Sequence, residues 1–117
     1  MSTTMKQIKD RTRILLDAEG KSYAWTDSEH IYPWINDGRQ ALRGIRPETA
    51  LSSDGATVTA FTRLEDADDE ITEPDRFSEC LSWYAKARCL QQLKSSSTGV
   101  KKAIIDAMAE FEKLARR

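Results

Sequence analysis

At 117 residues, with 39% hydrophobic and 32% charged side chains, the chain has the length of one domain and enough apolar residues for one modest core. No stretch approaches the roughly 18 uninterrupted apolar residues of a membrane span, and the opening MSTTMKQIKDRTRILL scatters charge through its apolar positions, unlike a signal peptide. The net charge of −1 excludes a generally basic, nucleic-acid-coating chain, and the expected compartment is a reducing cytoplasm with no membrane partner.

The first helix is expected over Thr4–Asp17, where Met5, Ile8, Thr12, Leu15 and Leu16 recur at helical spacing and Ile14 adds a second contact. Lys6, Lys9, Arg11 and Arg13 do not share one face and read as a solvated side. A polar turn follows at Asp17–Ser22, centred on Gly20. Thr26 and Glu29 form a capping-box pattern, with Trp25 placed before the cap as a hydrophobic staple toward His30 and Ile31. The second helix shows Ile31, Trp34, Ile35, Leu42 and Ile45 near one face, and Gly38 and Ala41 beside that stripe would let another helix approach closely. Pro33 removes a hydrogen bond and crowds the preceding turn, at about 3 kcal/mol in a helix interior. The apolar period continues across it, so a kink is expected near Ile31–Pro33. Pro47 disfavours helix geometry just before it, which ends the helix around Gly44–Arg46.

From Glu48 to Thr72 the character changes. Leu51–Gly55 is turn material, Ala56–Leu64 is rich in Thr and Val, Glu65–Asp69 is mostly acidic, and Glu70–Thr72 could return as a strand. A third helix is expected to open on Thr72 and Asp75 as a capping pair, with Pro74 in its first turn, and to reach about Lys94. Its apolar side is Phe77, Leu81, Tyr84, Ala85, Ala87, Leu90 and Leu93; Lys86, Arg88 and Lys94 are expected to face outward. Cys80 and Cys89 lie nine residues apart, on opposite faces of that helix, and so are expected to be free thiols of structural use. After Ser95–Gly99, where Ser97 or Thr98 can cap, the fourth helix steps through Val100, Ile104, Ala107, Met108, Phe111, Leu114 and Ala115. The short link makes the last two helices antiparallel neighbours. The expected fold is therefore mainly α: a single domain over 1–117, a small bundle of about four helices with a short β-hairpin or extended arm at 56–72 between helices two and three, and a C-terminal helix and tail at 100–117.

Catalytic chemistry needs converging groups, and the inventory is poor. His30 is the single histidine and has no nucleophile motif beside it. Phosphate-loop, dinucleotide-binding and zinc-protease motifs are missing from the sequence, and the acidic run lacks the spacing of a calcium loop. The chain is expected to be a non-enzyme with no cofactor and no metal. Arg39, Arg43 and Arg46, at i, i+4 and i+7, share a helix face that could bind phosphates or pair with the acidic block of the same chain or a neighbour. The pI of about 5.9 and the lack of a helix-turn-helix pattern argue against specific nucleic-acid binding. Charge is polarised: residues 1–46, 47–79 and 80–117 carry net +2, −8 and +5, a distribution able to orient the molecule against a copy of itself or a partner.

The order of motifs is informative. Leu15-Leu16-Asp17 is followed by Trp25-Thr26-Asp27 and Glu29, by Trp34-Ile35-Asn36-Asp37-Gly38-Arg39-Gln40, and by Arg46-Pro47. Then Pro74-Asp75-Arg76-Phe77 opens a helix containing Tyr84-Ala85 and Ala87-Arg88-Cys89. Over most of its length the chain resembles the head–tail connector (adaptor) proteins of tailed bacteriophages. The resemblance implies a structural virion protein at the head–tail junction, made in the host cytoplasm. Such a protein forms a twelve-fold ring of its own copies under the portal, extends the DNA channel with only non-specific passage of DNA, and docks a tail or nozzle protein. It further implies that the C-terminal Lys113, Leu114, Ala115, Arg116 and Arg117 engage the portal and that the 56–72 arm contacts a neighbour or the tail. Subunit contacts are then expected at Glu65, Asp66, Asp68, Asp69 and Glu70, within an acidic block reaching Glu73, and at Arg39, Arg43 and Arg46. The competing reading is a small cytoplasmic helical regulator or nucleic-acid-binding protein.

Overall fold

Four α-helices carry the chain: α1 (Met5–Asp17), α2 (Tyr32–Ile45), α3 (Ser78–Gln92) and α4 (Thr98–Ala115). The computed structural model describes residues 3–18, 25–50, 60–93 and 97–117. The turns expected at Gly20 and at Leu51–Gly55, residues 56–59 of the expected arm, and Lys94 lie outside the described residues. The architecture is the expected mainly helical bundle, and among the described residues no helix is long and apolar enough to cross a membrane.

The packing is organised by α3, against which α1, α2 and α4 all lie. Its two flanks are both covered: Cys80, Leu81, Ser82, Ala85, Ala87, Cys89 and Leu90 are buried. Small residues let neighbours come close on several sides at once. Gly38 of α2 faces Tyr84, whose Cδ1, Cγ and Cβ lie 3.0, 3.2 and 3.3 Å from where a Cβ on Gly38 would sit. Tyr84 in turn meets Phe111 of α4 edge-on, with ring centroids 5.0 Å apart, so one aromatic links three helices. Ser82 reaches α1 by donating its hydroxyl to Ile8 O at 3.2 Å. Lys86, expected to face outward, is instead buried, its Nζ 5.0 Å from the Trp83 ring centroid. A central helix has no fully solvated side, and a lysine stem can be buried along apolar neighbours.

Pro33 has the effect of a register change. Its ring crowds the carbonyl four residues back, and the turn before it widens into a π turn, Asp27–Ile31. There Ile31 N–H reaches Thr26 O at 3.2 Å, and Tyr32 N–H reaches Asp27 O. An α-helix then begins at Tyr32 with Pro33 in its first turn, where no N–H is required. The cap is also modified. Thr26 Oγ1 accepts from Glu29 N–H at 3.3 Å, but Thr26 N–H is taken by His30 Nδ1 at 3.1 Å rather than by the Glu29 carboxylate. His30 is thereby a capping residue, its ring also tilted against Trp34 with centroids 5.6 Å apart.

The expected hairpin is not formed among the described residues. Residues 60–65 pair with no strand, and the one bridge formed by the segment among the described residues is an isolated antiparallel bridge, Thr4 to Glu70. Nor do Thr72 and Asp75 cap α3. A 3-10 turn, Asp75–Phe77, leads into it, and Asp75 Oδ1 accepts from Thr3 N–H at 2.8 Å. Of the basic residues of α1, Lys6 and Arg11 are exposed as expected, whereas Lys9 and Arg13 are partly covered. Arg11 grips Glu79 at 2.8 Å, Arg13 grips Asp27 at 2.6 Å, and Lys9 lies 3.5 Å from Asp27.

Two consequences are testable. Adding a methyl at Gly38 drives it into the anchored Cβ and ring of Tyr84. Gly38→Ala should therefore lose about 1–3 kcal/mol in urea unfolding despite its better helix propensity. Gly44→Ala, with nothing within 4 Å, should gain about 0.5–1 kcal/mol; equal effects at both sites would refute the packing. Burial pushes both thiols up to about 12, and Cys80 Sγ donates to Phe77 O at 3.0 Å. Labelling with Ellman's reagent at pH 8 should follow global unfolding, and rapid native labelling would show that the α3 flanks are open.

Candidate functional site

The residues singled out by the sequence fall into three groups, which the fold treats differently. The arginine row is turned inward. Arg39 is fully buried and forms an ion pair with the equally buried Glu73, Nε to Oε1 at 2.7 Å. Its Nη1 donates to Asn36 Oδ1 at 2.9 Å and to Thr62 O at 2.8 Å, and its Nη2 donates to Thr72 Oγ1 at 3.1 Å. Thr72 passes the bond on, its hydroxyl donating to Glu73 Oε2 at 3.3 Å. Arg43 Nε lies 3.9 Å from the same carboxylate. The Phe61 ring lies within cation–π range of both guanidiniums, 4.8 Å from Arg39 Cζ and 5.2 Å from Arg43 Cζ. Arg39 is thus removed from the expected subunit surface, and Glu73 is removed from the acidic block expected to meet a neighbour. Each is used by the other.

Arg46 is a clasp. Its Nε donates to Ala115 O and its Nη2 to Arg117 O, both at 2.7 Å, and its Nη1 lies 3.5 Å from Glu48 Oε1. The last carbonyls of a helix have no partners within it, and Arg46 supplies them, placing positive charge at the negative end of α4. This alters the C-terminal group as well. Ala115 is buried and Leu114 half-buried against the core, so of the expected portal-facing residues only Lys113, Arg116 and Arg117 are exposed. Arg117 and Arg76 line a hollow of about 160 Å³ with Phe77 and Leu114.

The acidic stretch is a built turn rather than a loose loop. Asp69 N–H bonds Asp66 O at 3.1 Å, and the Asp69 carboxylate accepts from Glu65 N–H at 3.3 Å and Asp66 N–H at 3.1 Å. The turn then docks on α1. Met5 N–H donates to Asp69 O at 2.8 Å, Lys6 N–H to Ala67 O at 3.0 Å, and Ile71 N–H to Thr3 O at 2.9 Å. With Gln7 N–H on Thr4 Oγ1, the orphan donors of the first turn of α1 are met, and the acidic residues stand at its positive end. Asp69 is therefore committed to the turn. Glu65, Asp66, Asp68 and Glu70 are exposed and make no ion pair among the described residues.

These groups sit at opposite ends of α2. Glu65 and Asp66 share a groove of about 340 Å³ with Tyr32 and Pro33 at its start, whereas Arg46 and Arg116 line a hollow of about 270 Å³ at its end. Fourteen residues at about 1.5 Å each separate the poles by roughly 20 Å. The sequence reading missed Asn36 as a site residue. Its amide bonds Tyr32 O and Leu64 O through Nδ2 and accepts from Leu64 N–H and Arg39 through Oδ1. The signal was its place beside Ile35, three residues before Arg39, where a polar pair interrupts a stripe facing the core. Comparison with family models, curated proteins and solved structures finds no match.

Removing one member of a buried charge pair leaves the other uncompensated. Arg39→Met or Glu73→Gln alone should each cost about 3–5 kcal/mol, whereas the double variant should cost well under their sum. A double-mutant cycle in urea that returns additive losses would refute the pairing.

Proposed function

We propose that this chain is a structural component of a tailed-phage virion: a head–tail connector subunit that assembles with its copies into a ring beneath the portal, lines the DNA channel and docks the tail. The observation that carries the reading is the charge separation along α2, acidic at the 65–70 turn and basic at Arg76, Arg116 and Arg117. A ring is closed by heterologous contacts, one face of a subunit against a different face of the next, and unlike poles flanking the two ends of one helix supply such faces. The resemblance adds support of a second kind. Trp25-Thr26-Asp27, Asn36, Arg39 and Arg46-Pro47, which carry it, are the residues that form the π turn, the buried pair and the C-terminal clasp. They are framework residues, and framework is what a family of structural subunits would share.

The acidic pole is best probed at Asp66 and Asp68, because Asp69 also holds the turn. Exposed ion pairs are worth only about 0–1 kcal/mol each, so reversing both to Lys should raise the half-assembly concentration about tenfold per interface, with a weaker salt dependence and unchanged monomer stability. Quantitative mass spectrometry of complete particles and tail-less heads should find the chain at the copy number of the portal. Its absence from particles, together with salt-sensitive binding to DNA or RNA, would replace this reading with that of a cytoplasmic regulator.

A further inference from the structure

Between Ala60 and Glu65 the backbone is fastened along one edge. Thr62 O accepts from Arg39, and Leu64 uses both of its groups, N–H to Asn36 Oδ1 at 3.0 Å and O from Asn36 Nδ2 at 2.9 Å. A single amide side chain thus gives Leu64 the two bonds that a neighbouring strand residue would give. Residues of like parity in an extended chain present their groups to one side, and the intervening residues present theirs to the other. Phe61 and Arg63 are those intervening residues, and their N–H and C=O groups have no partner among the described residues. Phe61 and Thr62 are also residue types that suit a strand. The bonding of residues 62 and 64 to one side is the alternation of an extended segment fastened to a helix, its other side open among the described residues, and an open edge is a template for pairing.

The open edge has a chemical neighbour. The groove of about 340 Å³ at the start of α2 is lined by Tyr32, Pro33, Arg63, Leu64, Glu65 and Asp66, among others. Its two carboxylates are exposed and pair with no basic side chain of the described residues, and Asp68 and Glu70 follow close behind. Charge complementarity therefore selects the occupant. We propose that the edge at 61–65 takes up an extended basic segment of a partner protein by strand addition. The partner main chain pairs with Phe61 and Arg63, and a Lys or Arg side chain lies in the groove beside Tyr32 and Pro33, against Glu65 and Asp66. This assignment is independent of the virion reading and stands or falls on the edge itself.

The test is a selection from a displayed random heptapeptide library on the full-length chain at low salt, followed by amide chemical-shift mapping with the synthesised winners. Enriched peptides should alternate β-branched residues with Lys or Arg and shift amides centred on 61–65. N-methylation at every second peptide residue should cost about tenfold or more in one register and little in the other. The Glu65→Lys, Asp66→Lys double variant, altered only at exposed positions, should retain its far-UV spectrum and bind about tenfold more weakly. No enrichment, shifts centred elsewhere, or equal tolerance of N-methylation in both registers would overturn the proposal. So would shifts at 61–65 that follow the protein's own concentration without peptide, which would assign the edge to a second copy.

Discussion

Placing a guanidinium and a carboxylate where neither reaches water is costly, and it is tolerated only when the remaining donors and lone pairs also find partners. The Arg39–Glu73 pair meets that condition by recruiting Asn36, Thr62 O and Thr72, with Phe61 over the charge. These partners come from well-separated stretches of the chain, so the pair can be satisfied in one arrangement only. It fixes where the 60–73 segment crosses α2, and through that segment it fixes the acidic turn and the entry into α3. Apolar burial alone would tolerate a shift by one residue here; the hydrogen-bond set does not.

The bundle around this lock combines close helix approach with large buried side chains, Trp25, Trp34, Phe77 and Phe111 among them. Gly38, Ser82, Ala85 and Ala107 allow α3 to be covered on several sides, and Tyr84 with Phe111 fills the space where α2, α3 and α4 meet. A helix packed on several sides carries only a narrow solvated stripe, and Lys86 and both cysteines are interior.

Periodicity carried most of the fold. The stripes of α1 and α4, the end of α2 before Pro47, and the small-residue approach at Gly38 all follow from spacing and from the chemistry of Gly and Pro. What spacing could not show was the destination of polar groups. Arg39, Arg43 and Arg46 look equivalent at i, i+4 and i+7, yet one is buried, one is stacked over Phe61, and one clasps α4, because the elements they meet come from residues 60–73 and 115–117. Likewise Thr72 and Asp75 fit a capping pattern, but Arg39 and Thr3 N–H compete for them successfully. The β-rich composition suggested a strand or arm; where the segment is described, from residue 60, it pairs with no strand, and Thr62 and Leu64 bond instead to side chains of α2.

The first turn of α1 is completed by carbonyls from Ala67 and Asp69, so the beginning of the chain and its acidic turn form one mechanical unit. Thr4 and Gln7 cap the helix locally, and the turn adds, from far along the chain, the partners of the two N–H groups they leave. Any contact that draws the turn outward also releases the amides of Met5 and Lys6, and any contact that presses it inward tightens them. The acidic turn is therefore a lever as well as a charged surface, with its far arm at the N-terminus.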